Sequence, residues 1–320
     1  MSDATPPNPT PTSPSLPAKP KSKTGWIVGI GVAVVAVIVA IVLVVVNVTS
    51  GSSSQAAKAV TVKIGTTEVA APYWAPLKKA ASQQGIDIQV VGFRDYTQAN
   101  PALAEKQIDL NLFQHLQFLA NYDVSAKQNL VPIGSTLVVP LPLYSKKYTS
   151  VAAIPKGAQI AIPNDATNQA RALLVLQKAG LLKLKNGGNT LATPADIDAS
   201  ASKVTVIPVD AAQTAPALGS TDGAIVNNNF ALTAGLDPKS AIFQDDPKSQ
   251  TAEPYINAFV ARDADKNNKT YLKVAELYHS KAVTDAVLAE SKNTAVIVKR
   301  PESQLISILD KLKSTVASAK

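Results

Sequence analysis

The stretch DLNLFQHLQFL, residues 109–119, carries one of two histidines in a 320-residue chain, between two phenylalanines. The chain is only 5% aromatic, so Phe113, His115 and Phe118 within six residues are a local concentration. His115 and Phe118 are three residues apart, which in a helix puts them on one face. Such a face is either packing or the wall of a pocket. Four other stretches raise the same question. GFRDYTQAN places Tyr96 and Asn100 after a strand pattern. IPNDATNQARALLVLQKAG places Arg171 in the first turns of a helix that Thr167 can cap. A helix N-terminus and a guanidinium fork both suit a carboxylate. DGAIVNNNFA runs a buried-looking strand into Asn227, Asn228 and Asn229. Amides donate and accept, which fits the ammonium and carboxylate of a zwitterion. EPYINAFVAR sets Asn257 inside an apolar strand. Read singly, each has a plainer role: a surface arginine, a polar loop, an edge strand. Read together they describe a carboxylate anchor, two amide anchors and an aromatic wall, the chemistry of an amino-acid pocket.

Catalytic patterns are missing. The chain has no GxSxG elbow, no GxxxxGK[ST] phosphate loop, no HExxH and no glycine-rich dinucleotide turn. Asp245–Asp246 and Asp263 with Asp265 lie in polar contexts and read as solvated surface. There is no cysteine, which excludes disulfides, thiolate metal sites and thiol-linked lipid anchors. With only His115 and His279, a histidine-rich zinc site is not expected. No cofactor is implied, and binding is a better class than enzyme. The formal charge is +8, but no run of Lys or Arg exceeds two. That reads as a mildly basic surface rather than one for nucleic acid.

The elements that must position these residues begin after an unusual N-terminal region. Residues 1–25 hold seven prolines and close on Lys19, Lys21 and Lys23. This composition reads as a disordered tail. Trp26 to Val48 is 23 residues without a charge, with Asn47 its one polar side chain. A bilayer-crossing helix needs roughly 20 apolar residues. The lysines before it place the N-terminus in the cytoplasm and the rest outside the cell membrane, as a single-pass anchor. SSSQAAKA, residues 52–59, has the small residues a signal peptidase takes, so a released form stays open. Residues 49–59 read as a flexible linker.

From residue 60 onward, strand and helix patterns alternate. Strands are expected at 60–67, 86–93, 108–113, 130–145, 159–164, 204–209, 223–228 and 255–262. Helices are expected at 76–84, 100–105, 115–121, 168–179, 265–279, 281–290 and 302–317. Alternation of this kind predicts an α/β architecture with mainly parallel sheets, and the length allows two lobes.

From about Val62 onward the chain resembles the NlpA/MetQ-type lipoprotein family, the substrate-binding proteins of methionine ABC importers. The carrying segments are VGFRDYTQANPALAEKQIDLNLFQHLQFL, LPLYSKKYTS, AIPNDATNQARALLVLQKAGLLKLK, GAIVNNNFALTAGLDP and PYINAFVAR. The resemblance implies a two-lobed Venus-flytrap fold with two hinge crossings. Lobe 1 would be 60–142 plus 255–320, and lobe 2 would be 143–254. It implies L-methionine as ligand, and the permease and ATPase subunits of an importer as partners. Arg171 would bind the ligand carboxylate, and Asn227 and Asn257 its backbone polar groups. Tyr96, Phe113, His115 and Phe118 would surround the thioether. The chain departs from the family in three places. It lacks the lipobox cysteine, Phe118 stands where a tyrosine is expected, and Ala170 replaces a glycine beside Arg171. GTTEVAAPYW, residues 65–74, also departs from the family wording, and no ligand residue is taken from it. Two other functions remain open: a receptor for another amino acid or a short peptide, and a non-transport surface protein on the same scaffold.

Overall fold

The computed structural model describes residues 59–319. The proline-rich tail, the apolar stretch 26–48 and nearly all of the linker lie outside the described residues. The chain begins β1 (Val60–Thr66), α1 (Trp74–Ser82), β2 (Ile86–Gly92), α2 (Ala99–Ala104), β3 (Leu110–Asn111) and α3 (Leu116–Ala126). It continues β4 (Leu130–Ser135), β5 (Leu137–Val138), β6 (Pro142–Tyr144), β7 (Ala158–Pro163), α4 (Ala166–Lys178) and β8 (Val204–Val209). Then come α5 (Thr214–Ala217), β9 (Gly223–Ile225), α6 (Asn228–Thr233), β10 (Phe243–Gln244) and β11 (Ala258–Arg262). The last elements are α7 (Lys269–Leu277), α8 (Lys281–Glu290), β12 (Val296–Ile297) and α9 (Glu302–Ser318).

Two five-stranded sheets organise these elements. One has the order β2-β1-β3-β11-β4, the other β10-β6-β9-β7-β8. The small pair β5–β12 stands apart from both. The sheets are mixed rather than mainly parallel. In the first, β1 pairs parallel with β2 and β3, and β11 runs antiparallel to β3 and β4. In the second, β7 pairs parallel with β8 and β9, and β6 runs antiparallel to β9 and β10. The reason is the route of the chain. β6 and β11 each enter a sheet directly from the other one. A strand arriving that way starts where its neighbours end, so it must run against them.

Each sheet is covered on both faces, as α/β layering requires. On one side of the first sheet, Val62 and Ile64 pack with Trp74 and Leu77 of α1 and Val274 of α7. On the other, Val260 packs with Leu103, Leu119 and Leu309 from α2, α3 and α9. In the second sheet Ile160 and Ile162 pack on Leu173 and Leu176 of α4, all fully buried. Each such side chain contributes roughly 1.5–3 kcal/mol on burial. Strand position shows in the sequence pattern. In β2, next to β1 at the sheet edge, buried Ile86 and Ile88 alternate with exposed Asp87 and Gln89. In central β9, Gly223, Ala224 and Ile225 are all buried, the near-continuous apolar run expected of a covered strand.

The ends of several elements differ from the sequence reading, for local reasons. The expected strand 130–145 is three short strands, interrupted at Thr136 and again over 139–141, around Pro140. The expected strand 108–113 pairs only over Leu110–Asn111. α4 is capped by Asp165, whose side chain accepts from the Asn168 backbone N–H at 3.0 Å, and not by Thr167. It stops before Gly180, whose φ of +72° is the left-handed turn that glycine adopts without strain.

Candidate functional site

A cavity of about 520 Å³ opens where the carboxyl ends of both sheets face each other. Tyr96, Phe113, His115 and Phe118 line it from the side of the first sheet. Arg171 and Asn227 line it from the second, and Asn257 at the mouth of β11 completes the set. All seven residues singled out from sequence therefore meet in one space. Asn257 is not inside the strand. It precedes β11, where its backbone bridges that of His115.

Arg171 is 4% exposed. α4 carries it into the cavity one turn after Asn168. Its Nε donates to Asp245 Oδ2 at 2.8 Å and its Nη2 to the Val139 carbonyl at 2.8 Å. The guanidinium carbon sits 4.0 Å above the ring of Tyr255, within cation–π range. Asp245 is anchored in turn by the Leu141 N–H at 2.7 Å. Reading Asp245 as solvated surface is therefore wrong. Its carboxylate balances a buried cation 74 residues away in sequence. Asp265 likewise pairs with Arg262, at 2.6 Å. A guanidinium has five N–H donors. The described residues engage two of them on Arg171, through Nε and Nη2, and Nη1 makes no hydrogen bond to them.

His115 is a neutral donor here. Its Nδ1 accepts from the Phe118 N–H at 3.1 Å, which puts the ring proton on Nε2. Nε2 lies 3.3 Å from Asn168 Oδ1. Burial, and then the nearby Arg171 charge, push the imidazole down to about 3. It cannot take a proton at physiological pH, so its role is shape and two hydrogen bonds, one accepted by Nδ1 and one donated by Nε2. Around it the rings meet edge to face. Phe113 and Phe118 have centroids 5.7 Å apart, and His115 stands 5.3 Å from Tyr255. Tyr96 packs 5.1 Å from Phe230. The Tyr96 hydroxyl donates to Asn229 Oδ1, and Asn229 Nδ2 donates to Thr67 Oγ1 at 3.2 Å. Asn229 thus ties α6 to two hydroxyls of the first sheet's side.

The sequence reading missed Asn168, Tyr255, Asp245 and Glu68. Asn168 accepts from Asn227 Nδ2 at 2.8 Å. Its position three residues before Arg171, on the same helix face, was the available signal. Tyr255 lies in EPYINAFVAR, where no local pattern marks it as the ring beneath Arg171. Asp245 had no local signal. Glu68 belongs to the segment that was set aside, yet Thr67 to Tyr73 line the cavity. Glu68 accepts from the Tyr73 hydroxyl at 3.1 Å. Burial pushes its carboxyl up to about 7, and the charge of Glu290 adds to the rise. Burial raises Glu290 as well.

Two α/β halves closing on a cavity with a cationic pole, amides and an aromatic wall define a two-lobed periplasmic binding protein. Comparison with known proteins makes this more particular. The profile of the NlpA lipoprotein family matches residues 62–299. The chain is 36% identical over 239 residues to the probable D-methionine-binding lipoprotein MetQ of Haemophilus influenzae, covering 71% of this chain and 84% of that one. A crystal structure of the substrate binding protein of a methionine transporter from Streptococcus pneumoniae superposes with a TM-score of 0.70. The identity is 36%, over 74% of this chain and 95% of that one. A nutrient binding protein from Burkholderia cenocepacia, bound to methionine, gives 0.69 at 35% identity, over 74% and 99%. The chain belongs to the NlpA lipoprotein family.

Proposed function

We propose that this chain is the receptor of an ABC importer, which captures methionine between its lobes and hands it to the permease and ATPase subunits. The observation that carries the reading is the pairing of two open groups in one cavity. Arg171 keeps Nη1 for a carboxylate, and Asn227 Oδ1 is a buried acceptor without a partner among the described residues. A carboxylate and an ammonium on one carbon satisfy both. Tyr96, Phe113, His115 and Phe118 then enclose the side chain, and Asn257 borders the backbone end. Each sulfur–aromatic contact is worth about 0.3–1.5 kcal/mol. A hydrogen bond to a charged group contributes roughly 1.5–3 kcal/mol. The rings therefore select, and Arg171 anchors.

In this reading lobe 1 is 60–142 plus 255–320 and lobe 2 is 143–254. The fact that β6 begins at Pro142 and β11 at Ala258, each a direct passage between sheets, supports those boundaries. No helix of the described residues is long and apolar enough to cross a membrane. Residues 26–48 would supply the anchor that a lipidated cysteine cannot, with the N-terminus in the cytoplasm and the binding domain outside.

The test is calorimetric titration of the ligand-stripped protein with both enantiomers of methionine and a panel of other amino acids. Methionine binding tightest supports the reading. Preference for another amino acid moves the assignment to that ligand, and no binding at all overturns the receptor function.

A further inference from the structure

Asn227 Oδ1, in a residue that lines the cavity, has no partner among the described residues, and the atoms behind it dictate that this is an oxygen rather than an amide nitrogen. Asp165 caps α4, and both its oxygens receive Asn168 Nδ2, at 3.0 and 3.1 Å. Asp165 Oδ1 also accepts from the Asn168 backbone N–H at 3.0 Å and the Thr167 hydroxyl at 3.2 Å, so it is an acceptor, and Asn168 must present its nitrogen there and its oxygen on the other side. His115 imposes the same sense independently. Its Nδ1 is committed to the Phe118 N–H, so Nε2 donates to Asn168 Oδ1. That oxygen also receives Asn227 Nδ2 at 2.8 Å. Asn227 has only one amide nitrogen, so its oxygen is left for the ligand. Asn168 is 2% exposed and Asn227 9%, so water does not scramble the sequence of donors and acceptors.

We propose that Asp165 and Asn168 form a polarity relay that fixes the direction of the Asn227 amide and thereby makes the site selective for ligands that carry a protonated amine. Asp165 does not line the cavity, and Asn168, which does, acts through Asn227; in this proposal both are positioning residues. The inference rests on the amino-acid reading of the cavity given above. It adds the chemical class that the site rejects. A ligand with an acceptor in place of the amine, such as a 2-oxo acid, meets Oδ1 head on and leaves two acceptors facing each other. A site built around a buried polar partner discriminates far more strongly than an apolar one.

The experiment compares L-methionine with its 2-oxo analogue, 4-methylthio-2-oxobutanoate, by titration of the full chain in detergent. In the unaltered protein methionine should bind at least about a hundredfold tighter. In Asn168→Leu, Asn227 loses the partner that holds it and can turn Nδ2 to a keto oxygen. The ratio of the two affinities should then shrink by about tenfold or more, whatever happens to each affinity. Asp165→Asn keeps an oxygen for the helix cap and removes the acceptor-only constraint, so it should shrink the ratio in the same direction. If Asn168→Leu does not fold, this second variant decides. An unchanged ratio in folded variants, with both affinities lowered equally, overturns the relay and leaves a structural role. Equal binding of the two ligands by the unaltered protein overturns the relay while sparing the methionine assignment. Binding of the oxo acid but not of methionine overturns both.

Discussion

The two ends of the cavity are built on opposite terms. At the Arg171 end the charge is balanced. Asp245 neutralises the guanidinium, Tyr255 lies under it, and His115, Asn168 and Asn227 hold one another by hydrogen bonds. At the Glu68 end two carboxylates, Glu68 and Glu290, face the cavity; the Glu68 carboxylate accepts from the Tyr73 hydroxyl at 3.1 Å, and the Glu68 carbonyl accepts from Trp74 Nε1 at 2.7 Å. Among the described residues neither has an ion-pair partner. One end is preorganised, so a ligand meets donors already in place and little reorganisation is lost on binding. The other end carries a protonation cost that depends on pH. Affinity should therefore be concentrated at the first end, while both ends contribute pH-dependent stability of opposite sign, through His115 at the first and Glu68 at the second.

The largest effect expected is at Arg171. Arg171→Ala removes the charge-assisted bonds to the ligand and leaves Asp245 without its cation. Methionine affinity should fall at least about tenfold in a calorimetric titration. Unchanged affinity would remove Arg171 from the site and erase the contrast between the ends.

Next in size is a pH effect on stability. Glu68 has a folded value of about 7 against an ordinary 4.5, so the folded state holds its proton longer than the unfolded state does. Its contribution is present below 4.5 and is lost as pH rises to 7. His115 has a folded value of about 3 against 6.5, so its contribution is present above 6.5 and is lost as pH falls. Between 4.5 and 6.5 the two slopes oppose each other. Glu68→Gln should gain on the unaltered protein as pH rises from 4.5 to 7, by about 1–3 kcal/mol in all. Denaturant unfolding at a series of pH values measures this. A difference that stays flat across that window would mean Glu68 is solvated and the far end is ordinary surface.

His115→Ala should weaken methionine binding less than Arg171→Ala does, because it removes ring contacts and two neutral hydrogen bonds, neither of them to a charged group. The reverse order would make the histidine an anchor. Smallest of all is Phe118→Tyr, which restores the hydroxyl expected from the family resemblance. Its neighbours Phe113, Tyr96 and His115 are all rings. The titration should shift by less than about 1 kcal/mol, the scale of one neutral hydrogen bond. A larger gain would identify the missing hydroxyl as a ligand contact.

The same contrast explains what could be read from the sequence. The wall of the cavity was legible because each piece is a local signal: a polar or aromatic cluster at the end of a strand pattern. Tyr96, Phe113, His115, Phe118, Arg171 and Asn227 follow that rule. β8 and α8 were legible at their observed bounds because their apolar periods are uninterrupted. Partner choice was not legible. Asp245 meets Arg171 only because β10 joins the far edge of the second sheet. The part of Asn168 depends on which way an amide faces, and nothing in residue type encodes that. Strand direction failed for a similar reason. Alternating β and α patterns predict parallel neighbours, but β6 and β11 arrive from another sheet. Glu68 was not legible because nothing in GTTEVAAPYW marks the carboxylate as buried; only the end of β1 at Thr66 brings it to the cavity.

The most direct test of the central claim is a crystal structure of the ligand-stripped protein soaked with L-methionine. The account predicts the carboxylate against Arg171 Nη1, the ammonium on Asn227 Oδ1, and the thioether among Tyr96, Phe113 and Phe118. A methionine bound in reverse, with its ammonium toward Glu68 and its carboxylate away from Arg171, would contradict it.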